Sequence, residues 1–86
     1  MADDNNGDDD VFVYTGGRAP HDVRRAKIDE SIDTIPREAF YRCAQLIEVE
    51  GHNKLKKIER SAFRSCHSLR RLTKMNSVIE IERWAN

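Results

Sequence analysis

The chain has 86 residues, of which 38% are apolar and 35% are charged. That length holds one domain with a small core, and no apolar run reaches the ~20 residues a membrane-crossing helix needs. The net charge is zero, yet the first ten residues carry five Asp and no Lys or Arg, which leaves ten acidic against 15 basic residues in the rest, a balance of +5.

The acidic start, MADDNNGDDD, lacks the basic and then apolar stretches of a secretory signal. Two cysteines are too few for a disulfide-built scaffold. Together these point to a cytoplasmic or other intracellular, reducing compartment. Residues 1–10 bury no apolar surface and are expected to be a disordered tail. Such a tail either solubilises the protein or folds back on its basic body.

Residues 11–19 follow. "VFVYTGG" alternates apolar and other residues and ends at Gly16-Gly17, as an extended segment would. It is out of register with what comes after it. The expectation is an N-terminal cap that covers the first core layer.

Residues 20–86 repeat with a period of 23. Ile32, Leu55 and Val78 are in step, as are Ile35, Ile58 and Ile81. Ala39, Ala62 and Ala85 follow, and Phe40 pairs with Phe63 and Cys43 with Cys66. Val23, Leu46 and Leu69 continue the series, then Ala26, Val49 and Leu72. A unit this short cannot bury its apolar side alone and gains a core only by stacking on its neighbours.

Each unit mixes two spacings. "VRRAKI", "LIEVE" and "LRRLT" are strand-like, and turn-like pieces follow at 29–31, 51–54 and 75–77. A short extended piece around the repeated Ile comes next. "TIPREAFYRC" and "KIERSAFRSC" have helical spacing, with Ala, Phe and Cys on one face. Pro36 suits a first helical position, and Glu38, Glu59 and Glu82 suit a helix N-terminus. The predicted fold class is α/β: a short right-handed solenoid with a parallel ladder on one face and short helices on the other. It contains two full units and a truncated third. Stacked helix pairs are the rival fold, for which the repeat helix is too brief, because helical repeats run ~33 residues or more.

The pattern Ile-x-x-x-Ala-Phe-x-x-Cys-x-x-Leu-x-x-Val/Leu at this period resembles the BspA-type leucine-rich repeats. The resemblance covers residues 20–86. It implies a leucine-rich repeat solenoid that binds other macromolecules, and it brings no catalytic residues with it. Two departures stand out. Ala26 is small where a larger aliphatic is usual, which is expected to weaken the first layer. Asn86 stands where Phe40 and Phe63 stand earlier, so Leu69, Leu72, Ile79, Ile81 and Trp84 are expected to face an uncapped end. The expectation is that the chain is a truncation or a fragment, or that its end is covered by another molecule, a second copy through self-association being one such cover.

The ladder face is the candidate binding surface for a protein partner whose identity the sequence does not name. In register, Arg25, Glu48 and Arg71 form one exposed column, and Lys27, Glu50 and Thr73 form the next. Adjacent strands lie about 4.8 Å apart, so opposite charges in a column attract by roughly 0.2–1 kcal/mol per pair. The plainer reading is that the columns neutralise themselves and only solubilise the face.

Cys43 and Cys66 read as packed thiols. His21, His52 and His67 lack metal-ligand spacing and are expected to be exposed, so no metal or cofactor is called for. A basic nucleic-acid-binding module is the alternative function, suggested by Arg24-Arg25, Arg70-Arg71 and the lysines at 54, 56 and 57. Glu48 and Glu50 interrupt the continuous positive stripe that such a surface needs. A second alternative is a remnant of a longer repeat protein without independent function. No Gly-x-Ser-x-Gly, phosphate loop or paired carboxylates mark an enzyme.

Overall fold

The computed structural model describes residues 11–81. Its strands are β1 (Val11–Tyr14), β2 (Arg25–Ile28), β3 (Thr34–Ile35), β4 (Glu48–Glu50), β5 (Lys57–Ile58), β6 (Arg71–Thr73) and β7 (Glu80–Ile81). They build two parallel sheets, ordered β1-β2-β4-β6 and β3-β5-β7. Every pairing among the repeats joins residues 23 apart, such as Ala26 with Val49 with Leu72 and Ile35 with Ile58 with Ile81. Each unit is therefore one turn of a solenoid, and its two strands are walls of the same coil.

The expected helices do not form among the described residues. Residues 37–45 and 60–68 are successive turns. Glu38 and Arg42 have φ of 60° and 64°, and Ser61 and Ser65, their counterparts one unit on, have 62° and 65°. A left-handed residue at two fixed places per unit breaks a right-handed helix. The backbone donors show what the chain gains. Ala39, Tyr41 and Cys43 donate locally, three residues back, whereas Phe40 and Arg42 donate across to the carbonyls of Ala62 and Arg64 at 2.8 Å. An α-helix satisfies its donors internally. Here alternate N–H groups tie one coil to the next.

The core is a column of buried side chains inside the coils: Ile28, Ile35, Phe40, Cys43, Leu46, Val49, Leu55, Ile58 and Phe63 among them. The rings of Tyr14, Phe40 and Phe63 stand in line, with centroids 5.2 Å and 5.4 Å apart. Tyr14 comes from β1, outside the repeat spacing. It stands next to Phe40 because the first unit has Gly17 where later units have Phe, and its hydroxyl donates to the Gly17 carbonyl at 2.6 Å.

Strand β1 also accounts for Ala26. Phe12 is the register partner of Ala26, so a large ring stands beside the small side chain, and Ala26 is buried. The layer is filled by a volume exchange between strands. At the other end of the stack Leu72, Ile79 and Ile81 are 47%, 84% and 65% exposed, while Leu69 is half-buried against the core. Trp84 and the rest of the last five residues lie outside the described residues, as does the acidic segment 1–10.

Two positions in the turns matter for stacking. A Cβ on Gly51 would lie 2.7 Å from the Lys74 carbonyl oxygen and 2.9 Å from the Met75 sulfur, so the next coil passes where a side chain would stand. His52 is buried, contrary to the expected exposure, while His21 and His67 are exposed. Its Nδ1 accepts from the Lys54 backbone N–H at 3.0 Å, which leaves Nε2 as the donor to the Ile32 carbonyl at 2.7 Å. The ring thus ties the turn of one coil to the coil before it.

Candidate functional site

The ladder sheet alternates because side chains on a strand point to opposite faces in turn. Phe12, Tyr14, Ala26, Ile28 and Val49 point inward and pack. Arg25, Glu48 and Arg71 are register partners in β2, β4 and β6, and Lys27, Glu50 and Thr73 form the second column. All of them keep solvent access. The Arg71 guanidinium lies 3.8 Å from the Glu48 carboxylate, and Lys74, just past β6, lies 3.3 Å from Glu50. Arg71 and Lys74 are largely exposed, so these pairs are weak and leave the cations able to reach a partner.

Strand β1 widens this face. Val11 and Val13 continue the two columns as register partners of Arg25 and Lys27, and both are exposed. Reading by period missed them, since β1 stands 14 residues from β2 and not 23. Ile47 was also missed. Its N–H donates to the Arg24 carbonyl at 2.7 Å, and the Arg70 N–H donates to the Ile47 carbonyl at 2.9 Å. Arg24, Ile47 and Arg70 thus form a third column before the strands, all exposed.

The face is polarised along the strands. At their N-terminal ends stand Arg24, Arg25, Arg70 and Arg71, with Glu48 between them, the Ile47 side chain in the middle and the exposed Asp22 two residues before Arg24. At their C-terminal ends a groove of about 750 Å³ is lined by Lys27, Asp29, Glu30, Glu50, His52 and Lys74, among others. Ser31 donates to the Asp29 carboxylate through its hydroxyl and its N–H, and these bonds hold the Asp29 carboxyl below its ordinary range.

The back of the solenoid is built differently. The guanidinium groups of Arg18 and Arg42 stand over the Tyr41 ring, at 5.8 Å and 5.6 Å from its centre, and Arg18 pairs with Glu38. Cys43 and Cys66 are free thiols that donate to the carbonyls of Pro20 and Phe40 at 3.4 Å and 3.0 Å. Burial raises both thiols, Cys66 to about 11. They are packing groups and lack the thiolate character of a nucleophile. Among the described residues no cluster of His, Cys, Asp and Glu is arranged to hold a metal ion, and no helix is long and apolar enough to cross a membrane.

Residues 21–85 match a family model described as the BspA type leucine-rich repeat region (6 copies). No curated protein and no solved structure matches the chain.

Proposed function

The chain belongs to the BspA-type leucine-rich repeat family, and on that premise we propose that it is a non-enzymatic module whose ladder face binds another protein. The observation that carries this reading is the ladder itself. Short parallel strands present two columns of polar side chains, Arg25-Glu48-Arg71 and Lys27-Glu50-Thr73, in which Lys27 and Arg71 are exposed and the others half-buried, on backbone fixed by cross-coil hydrogen bonds. A surface held by its scaffold loses little conformational freedom on docking. Arginine suits such a face because its planar fork binds a carboxylate bidentately.

Charge reversal tests the reading. Arg25→Glu with Arg71→Glu should weaken partner binding by tenfold or more, about 1.4 kcal/mol. Lys54→Glu with Lys56→Glu, off the ladder, should change it little. Equal losses from the two pairs would place the contact elsewhere.

A further inference from the structure

The polarity of the ladder face has a counterpart in the chain itself. Strand β1 runs parallel to β2 with Val11 beside Arg25, so the backbone enters β1 at the arginine end of the ladder. Asp8, Asp9 and Asp10 immediately precede Val11. From there the three strand spacings to β6 cover roughly 14 Å. Ten residues reach up to about 33–36 Å, so Asp3 and Asp4 are within reach of Arg70 and Arg71. At that end of the ladder stand four arginines, Arg24, Arg25, Arg70 and Arg71, with Glu48 between them.

We propose that the acidic N-terminal segment, residues 1–10, docks in cis on the arginine-rich end of the ladder and occupies it as an internal competitor. The inference rests on the reading of the ladder face as a docking surface, and it names the chemistry of that surface: an acidic chain segment. Two features favour this occupant. The charges are opposite and the attachment point is already in place. Tethering also raises the local concentration of the segment to the millimolar range. A free acidic peptide that binds the uncovered surface at ~100 μM would then be displaced by roughly tenfold when the chain's own segment is present. An external partner must outcompete the segment, through more negative charge or through added contact with Ile47, Val11 and Val13.

The test compares full-length chains and uses a fluorescein-labelled peptide with the sequence of residues 1–10. In one chain Asp3, Asp4, Asp8, Asp9 and Asp10 are all replaced by Asn; in another the same chain also carries Arg24→Glu and Arg70→Glu. At low ionic strength the neutralised chain should bind the peptide, and added salt should weaken that binding. The wild-type chain should bind it at least about fivefold more weakly. The variant with both arginines reversed should not bind it. Circular dichroism of each chain checks that the fold is retained.

Equal binding by the wild-type and neutralised chains overturns the proposal, as does no binding by either at low salt, or binding that survives Arg24→Glu with Arg70→Glu. Sedimentation showing a wild-type dimer that neutralisation abolishes would place the segment on a second copy and overturn the cis contact. None of these failures touches the ladder-face reading, whose test reads Arg25 and Arg71 against a different partner.

Discussion

Ser61→Gly separates the turn seen here from the helix that the sequence pattern suggests. In a helix interior Gly costs about 0.5–1 kcal/mol relative to Ala, so the change would destabilise. Ser61 instead has φ of 62°, a region that costs an L-residue roughly 1–2 kcal/mol and costs Gly almost nothing. Against that gain, Gly adds about 0.4–1 kcal/mol of unfolded-state entropy. The net expectation is a stabilisation between about 0 and 1.5 kcal/mol. Ser65, at φ 65°, should behave alike. Ser61→Val should go the other way by more than about 1 kcal/mol, because a β-branched residue resists this region most. Urea unfolding followed by circular dichroism reads all three as shifts in midpoint at constant slope. A loss of 0.5 kcal/mol or more on Ser61→Gly, with Ser61→Val neutral, would refute the turn and restore the helix.

Phe40→Ala removes the middle ring of the aromatic column, fully buried between Tyr14 and Phe63, and should cost ~3–5 kcal/mol. Domain stabilities run near 0.05–0.15 kcal/mol per residue, so loss of cooperative thermal unfolding is the expected readout. Gly51→Ala should destabilise, since its Cβ would fall 2.7 Å from a backbone oxygen; an unchanged melting temperature would contradict the close approach of the third coil. Cys66 should resist alkylation at pH 8 in the folded chain and react once unfolded, because its pKa stands at about 11 against 9.0. Its raised pKa gives stability that is present below pH 9 and lost as pH rises through about 11, so the urea midpoint should fall across that window. Arg18→Ala breaks an exposed pair with Glu38 and should shift stability by less than about 1 kcal/mol.

The register of the solenoid was legible because stacking forces one residue of each unit to face its counterpart in the next. Ile35, Ile58 and Ile81 are in step in the sequence and paired in the sheet for that reason. The Ala-Phe-x-x-Cys stretch misled because tight turns also turn the same side chains inward. Its apolar residues do face the core, but periodicity carries no information on the sign of φ, and neither Glu38 nor Ser61 is a Gly that would have flagged it. His52 was hidden by chemistry. A polar side chain reads as solvent-facing, although its counterpart Met75 is apolar and half-buried, and that was the available signal. Val11 and Val13 joined the candidate face by strand pairing, for which the 14-residue spacing holds no repeat signature.

The ladder face as the docking surface is the central claim, and site-specific photocrosslinking tests it most directly. A photoreactive side chain at Glu48, in the middle of the Arg25-Glu48-Arg71 column, or at Arg71, at its end, should form an adduct with a defined protein partner. The same group at Arg37 or Arg64, on the turn side and exposed, should form none. Adducts from Arg37 or Arg64 with none from Glu48 or Arg71 would contradict the account.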